Sequence, residues 1–194
     1  MASDLLPEEK RKVKKPLLFL GIAGIVMAFA GLTSGYYVSR TALLTENKWF
    51  QFELPWQFTL ATALIVLSSV SMFMGLRSIK RGNKSQMVNE IWVTLFLGIG
   101  FVFAQYFGWA EMIEKGLYFT GEGSSTSVSW VYVITLLHWL HVLSGIIVLI
   151  VTIYQARKGK YTSKDYLGLQ LSAIYWHFLD ALWIYLFLFL AFIR

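Results

Sequence analysis

The stretch Leu171–Ile193, LSAIYWHFLDALWIYLFLFLAFI, decides the fold because it is long and apolar enough to cross a bilayer as one helix. Two ionisable side chains, His177 and Asp180, interrupt it. They are three residues apart, so they share one face of that helix. Ionisable groups at bilayer depth are costly unless they face protein, water or headgroups, and both are therefore candidate functional residues.

Four further stretches meet the same length criterion, and the composition agrees, with 57% hydrophobic and 14% charged residues. The sequence predicts an all-α, polytopic membrane bundle of five transmembrane helices. No segment outside them is large enough for another domain, so we expect a polar cytoplasmic arm over residues 1–16 and one transmembrane domain over residues 17–194. The expected spans are about 17–37, 54–76, 91–109, 128–154 and 171–193.

The basic residues predict the orientation of these spans. Thirteen of the 17 Lys and Arg residues fall in the N-terminal arm, the second loop and the fourth loop, and positively charged loops stay in the cytoplasm. The N-terminus is therefore expected inside and the C-terminus outside. The net charge of +6 is explained by topology rather than by nucleic-acid binding, because the basic residues lie in short clusters between apolar runs.

Few polar side chains inside the predicted spans could carry chemistry. The principal ones are His138, His141, His177 and Asp180, which we expect to form an interhelical hydrogen-bonded cluster between the fourth and fifth spans. No catalytic residue and no metal site is expected. The chain has no cysteine, which excludes disulfides, thiolate ligands and cysteine nucleophiles.

Other uses of these polar groups remain open. A b-type cytochrome needs two imidazoles on facing helices, so His138 and His141, which share a helix, could not ligate one haem, whereas His141 with His177 could. A site of three histidines and Asp180 would suit several transition metals, but it lacks any spacing with a known mechanism. A small transporter is disfavoured because no internal repeat is visible.

Several motifs, in the same order along the chain, resemble one known family. Tyr175–Trp183, YWHFLDALW, is similar to the YWHFVDxVW signature of cytochrome c oxidase subunit III, and His138–Gly145, HWLHVLSG, resembles its HGxHVxxG element. Leu54-Pro55, followed by Thr62 and Ser68-Ser69, resembles the LP and NTxxLxxSS elements. Phe29–Leu32, followed by Tyr37 and Arg40, resembles the FAGL, Tyr and Arg of the first common helix.

This resemblance implies a function that composition alone does not. It implies a five-helix bacterial form, multi-pass in the inner (plasma) membrane, with no haem or copper of its own. Those cofactors are expected in partner oxidase subunits I and II. The chain would stabilise subunit I, bind phospholipid, support proton uptake and contribute to a respiratory complex, and it could join a larger supercomplex. The same subunit in a quinol oxidase is the nearest alternative.

Phospholipid contacts are expected at four residues. Trp176 and Trp183 offer aromatic faces, while Arg157 and Lys158, on the predicted inside loop, suit anionic headgroups. Three departures from the family pattern concern other positions. Ile25 and Gln170 replace glutamates of the family, and Trp139 replaces a glycine. Losing both carboxylates argues against proton handling by this chain itself and leaves the scaffold and lipid roles intact.

Overall fold

A computed structural model describes residues 7–193, with side chains from residue 13 onward, and within this range all regular secondary structure is helical. Each of the five helices contains a stretch long and apolar enough to span a membrane. The predicted fold class is confirmed. The helices are α1 (Pro7–Thr45), α2 (Trp56–Lys80), α3 (Lys84–Glu114), α4 (Thr126–Arg157) and α5 (Leu167–Phe192).

Most of the helices are longer than the spans expected from hydropathy. The polar residues at their ends are also helical, because only the central part of each helix must be apolar to cross the hydrocarbon core. Helix α1 begins at Pro7 and continues through Pro16, so residues 7–16 of the expected arm belong to it. Residues 1–6 of that arm, and Arg194, lie outside the described residues.

Local sequence explains where several helices start and stop. The Asn83 side chain accepts a hydrogen bond from the Gln86 backbone N–H at 3.1 Å and so caps the start of α3. Ser125 caps α4 in the same way through the Val128 N–H. Gly116 follows α3 with a φ of +75°, a conformation that glycine adopts without steric cost, and this turns the chain away from the helix axis.

Helices α2, α3, α4 and α5 form a ring, and α1 lies outside it. Helices α2, α3, α4 and α5 each pack against the next, and α5 closes the ring on α2, whereas α1 packs only on α4 and α5. Within the ring, helices that follow one another along the chain are neighbours, whereas α1 and α2 are not in contact. The ring interior is the core of the protein, and it holds the aromatic side chains described below.

Glycines let the helices approach closely at a few positions. Gly31 and Gly35 form a GxxxG motif in α1. A Cβ on Gly35 would lie 2.8 Å from the Trp130 ring of α4, whereas one on Gly31 would meet nothing within 4 Å. Only Gly35 therefore serves a close helix contact. In the ring interior, a Cβ on Gly98 of α3 would lie 2.6 Å from Cη2 of Trp176 of α5.

The close contact at Gly98 gives the first prediction. Gly98→Ala should lower the free energy of unfolding by about 1–3 kcal/mol, because the added methyl group must displace a buried indole. Gly24→Ala is the matched control, since its Cβ would meet nothing within 4 Å, and it should be neutral or slightly stabilising. Denaturant titration in detergent checks both variants, and equal effects would contradict the packing described.

Candidate functional site

The signature stretch of α5 presents one buried face to the ring interior. Trp176, Asp180 and Trp183 are exposed by only 1%, 2% and 0%. Spacings of four and three residues place these side chains one above the other on a helix. The two indoles are directed into the ring interior, and Asp180, between them on the helix, is buried at the contact with α2.

Trp176 lies where four helices meet. Its Nε1–H donates a hydrogen bond of 2.9 Å to the Ser68 hydroxyl of α2. The ring lies against Gly98 of α3 on one side and Gly145 of α4 on the other, where an added Cβ would be 2.6 Å and 3.1 Å away. One indole of α5 therefore fixes the positions of α2, α3 and α4 around it.

Trp183 makes an equivalent contact two helical turns further along. Its Nε1–H donates to Thr62 Oγ1 of α2 at 2.9 Å. Aromatic rings from three helices surround the indole, with centroid distances of 5.0 Å to Phe101, 5.2 Å to His138 and 6.1 Å to Phe58. Helices α2 and α5 are therefore joined at two depths by buried indole–hydroxyl pairs.

The two histidines of α4 lie on the side of the ring next to α1. The fully buried His138 ring contacts Phe29, Phe101 and Trp183, and neither of its nitrogens has a hydrogen-bond partner among the described residues. His141 Nδ1–H donates to the Leu137 carbonyl of its own helix at 2.7 Å. Its ring lies 5.7 Å from Phe29. Both histidines thus pack against Phe29 of α1, and His138 also packs against aromatic rings of α3 and α5.

His177 and Asp180 lie on the other side of α5, towards α2. A hydrogen bond of 2.6 Å joins His177 Nδ1 to the Ser69 hydroxyl. Both residues, with Ser69, line an open groove of about 530 Å³ between α2 and α5. Asp180 lies beside the same Ser69 hydroxyl.

The four polar residues therefore do not form the single hydrogen-bonded cluster expected between the fourth and fifth spans. The structure separates them into His138 with His141 beside α1, and His177 with Asp180 beside α2. The polar links between α4 and α5 are instead hydroxyl pairs, Ser144 with Tyr175 at 2.7 Å and Thr152 with Ser172 at 2.6 Å. Sequence reasoning missed them, although their matching depths on adjacent spans were a usable signal.

Comparison with known proteins identifies the family. The family profile described as "Cytochrome c oxidase subunit III" matches residues 18–193. This chain belongs to the cytochrome c oxidase subunit III family. It is similar to a probable cytochrome c oxidase subunit 3 of Nocardia farcinica, with 30% identity over 87% of this chain and 82% of that protein. It is 28% identical to the cytochrome c oxidase subunit 3 of Corynebacterium diphtheriae, over 87% of this chain and 82% of that protein. It is 30% identical to the cytochrome c oxidase subunit 3 of Syncerus caffer, over 88% of this chain and 66% of that protein.

Family membership and the five membrane-length helices make this chain a multi-pass membrane protein. Motifs of the subunit III family also pair with one another in its structure. Thr62, Ser68 and Ser69, from the α2 motif, contact Trp183, Trp176 and His177, from the α5 signature. Over the described part of the chain, no group of three or more His, Cys, Asp or Glu side chains is arranged to hold a metal ion.

The residues expected to contact lipid divide into two kinds. Trp176 and Trp183 are buried, so in this structure they contact protein rather than lipid, because their N–H groups are paired inside the ring. Arg157 and Lys158 are exposed at the C-terminal end of α4. The Lys158 ammonium lies 4.3 Å from the centre of the Tyr154 ring, which leaves a charged face at this end of the helix.

The departures from the subunit III pattern have simple structural consequences. Ile25, in place of a glutamate, packs against the core as a partly buried apolar side chain. Gln170 lines a small polar pocket together with Lys15. Trp139, in place of a glycine, donates its Nε1–H to the Val102 carbonyl of α3 at 3.3 Å. Ile25 and Trp139 thus add packing or hydrogen-bond contacts, and none of the three departures adds a carboxylate.

The second prediction tests the indole–hydroxyl pairs. Thr62→Ala should lower the free energy of unfolding by about 1–3 kcal/mol, because it leaves the buried Trp183 N–H without an acceptor. Thr41→Ala is a matched control. Both threonines donate to the carbonyl four residues earlier, but Thr41 is exposed and accepts no hydrogen bond from a tryptophan in the described part of the chain. Denaturant titration of both variants in the same detergent measures the difference, and a Thr62 effect no larger than that of Thr41 would contradict the assignment.

Proposed function

We propose that this chain is the non-catalytic subunit III of a proton-pumping terminal oxidase in a bacterial inner membrane. In this proposal electrons pass from cytochrome c to oxygen through haem and copper in partner subunits I and II. The support comes from the match to the subunit III family over residues 18–193 and from relatives named as cytochrome c oxidase subunit 3. This chain takes no electron-transfer step itself.

The stabilising role rests on one observation. The polar side chains of the two motifs are used to join helices: Trp176 and Trp183 donate to hydroxyls of α2, and His177 is bonded to Ser69. Hydrogen bonds between membrane helices contribute about 0.6 kcal/mol on average, but several of them specify which helices meet. Such a bundle is suited to act as a rigid support for subunit I.

Lipid retention is the second part of the proposal. Large apolar side chains are exposed along the outer faces of the helices, and Arg157 and Lys158 lie at one end of them. Basic residues near the membrane surface attract anionic headgroups by about 1 kcal/mol each. Phospholipid held in this way would protect subunit I during turnover. A larger respiratory supercomplex is a compatible setting.

Support of proton uptake is proposed to be indirect. The two family glutamates are Ile25 and Gln170 here, and neither side chain can carry a proton as a carboxylate does. The chain would therefore sustain proton uptake by holding subunit I and its lipids in place. A quinol oxidase is the alternative setting, since the electron donor docks on other chains, and a copper-binding partner in the purified complex would distinguish the two.

The experiment that tests the proposal is purification of the intact complex from the native membrane. We expect a large haem-bearing subunit to co-purify with this chain in gentle detergent. An isolated chain that carries haem itself would overturn the proposal in favour of a b-type cytochrome. Substrate flux in liposomes that contain only this chain would overturn it in favour of a transporter.

The third prediction concerns the lifetime of the oxidase. His177→Ala and Asp180→Ala should leave the initial rate near that of the wild type and shorten the time for which activity persists, because both side chains lie with the Ser69 hydroxyl where α5 contacts α2. Continuous oxygen-consumption traces of the purified complex measure both quantities. Thr41→Ala is the control, and inactivation as slow as in the control would contradict the stabilising role.

The fourth prediction concerns anionic lipid. Replacing Arg157 and Lys158 together by Gln should weaken the affinity for anionic phospholipid at this site by about thirtyfold, since two charges contribute about 2 kcal/mol, and less of this lipid should co-purify with the complex. Mass spectrometry of extracted lipid measures the change. Lys48→Gln, in the connection between α1 and α2, is the control and should have little effect, because Lys48 is already paired with Glu46. Unchanged lipid content in the double variant would contradict this site.

A further inference from the structure

A second groove lies between α2 and α3, at the end of the bundle where α2 begins and α3 ends. It encloses about 510 Å³ and is lined by the first two turns of α2 and the last three turns of α3. Trp56, the first residue of α2, is 65% exposed at its rim, and Phe107 of α3 is 57% exposed on its wall. This α2–α3 groove is therefore open to the surroundings of the bundle.

The polarity of the α2–α3 groove changes with depth. Its rim carries Glu111, Glu114 and Lys115, where α3 ends. Ala104, at the other end of the groove, lies seven residues before Glu111, which is about 10 Å further along the helix at 1.5 Å per residue. Leu60 of α2 adds a second apolar side chain below the rim. A charged rim above an apolar floor matches the order of headgroup and acyl chain in a phospholipid.

Contacts within the chain hold part of the charge at the rim. The Gln57 Nε2–H donates to Glu111 Oε2 at 2.6 Å and joins α2 to α3. Lys115 forms a salt bridge with the other carboxylate oxygen of Glu111, whereas Glu114 is exposed. Because Lys115 offsets only one of the two carboxylates, the rim has a net negative charge. It therefore repels anionic headgroups and attracts a positively charged group.

Hydrogen bonding narrows the choice of headgroup further. An ethanolamine headgroup carries a primary ammonium, whose N–H groups can donate to the Glu114 carboxylate in charge-assisted hydrogen bonds. The exposed Trp56 ring offers a π face to the same cation. A glycerol headgroup would leave the phosphate charge uncompensated beside Glu114, and a choline headgroup has no N–H to donate. The groove thus fits an ethanolamine phospholipid better than either of these.

We propose that the α2–α3 groove binds a phospholipid with an ethanolamine headgroup, whose ammonium donates to Glu114 and whose acyl chain lies along Leu60 and Phe107. The Gln57–Glu111 hydrogen bond fixes the shape of the rim, and Glu114 selects the headgroup. This inference deepens the lipid-retention part of the proposed function by adding a second site with the opposite charge preference. It does not depend on the electron donor or on the partner subunits.

Lipid titration of the purified full chain, read by native mass spectrometry, tests the headgroup preference. The Arg157→Gln/Lys158→Gln background removes the basic site at the end of α4. In that background, Glu114→Gln should weaken binding of dioleoyl phosphatidylethanolamine by about fivefold, because one charge at the membrane surface is lost. Glu122→Gln is the matched control, since Glu122 is exposed in the α3–α4 connection and does not line the groove. It should leave binding unchanged.

The same titration with two other lipids checks the selectivity. We expect dioleoyl phosphatidylglycerol and dioleoyl phosphatidylcholine to bind more weakly than the ethanolamine lipid, and Glu114→Gln should remove most of the discrimination against the glycerol lipid. Equal affinity for all three lipids before substitution would overturn the proposal, and so would an effect of Glu114→Gln no larger than that of Glu122→Gln.

Photo-crosslinking locates the lipid in the complete complex. Phosphatidylethanolamine with a diazirine on its acyl chain should give adducts on the peptides that contain Leu60 and Phe107. Adducts confined to other helices, or a polypeptide of another chain occupying the groove, would overturn the site. Neither result changes whether a haem-bearing subunit co-purifies with this chain, so failure of this inference is distinguishable from failure of the proposed function.

Discussion

The structure depends on the pairing of two indoles with two hydroxyls between α5 and α2. In a bilayer there is no water to satisfy a buried N–H group, so Trp176 and Trp183 each require an acceptor on a neighbouring helix. Ser68 and Thr62 provide it, about two helical turns apart. Lipid supplies no force that drives helices together, and these pairs, with the close packing they permit, therefore determine how the ring closes.

The remaining packing follows from the size of the indoles. Trp176 occupies space that only glycine leaves free, at Gly98 on α3 and at Gly145 on α4. Trp183 is enclosed by aromatic rings, among them the His138 imidazole. The same motif thus specifies the positions of four helices, and α1 is then added on the side of α4 and α5. Each contact is small in energy, and their combination selects one arrangement.

Hydropathy and charge were sufficient to predict five spans, because span length is a property of one segment at a time. The partners of the polar side chains were not predictable in this way, since they depend on the rotation of each helix about its axis. Thr62, Ser68 and Ser69 were recognised as motif residues, yet their partners lie 108–121 residues away. The sequence does not give the rotation of each helix about its axis. For this reason it led to the expectation of one His–Asp cluster and of lipid contacts at Trp176 and Trp183.

The proposed scaffold role agrees with which residues of the family pattern this chain has and which it lacks. What the chain keeps of its family is the set of residues that join helices, and what it lacks is a pair of glutamates, replaced by Ile25 and Gln170. A scaffold needs the residues that join helices, and it does not need the two glutamates.

The central claim is that the Trp176–Ser68 pair couples α5 to α2 in the folded protein. A double-mutant cycle of Trp176→Phe and Ser68→Ala, read as the free energy of unfolding in detergent, measures this coupling directly. The account predicts an interaction free energy of about 0.6–1.7 kcal/mol. Strictly additive effects of the two substitutions would contradict it.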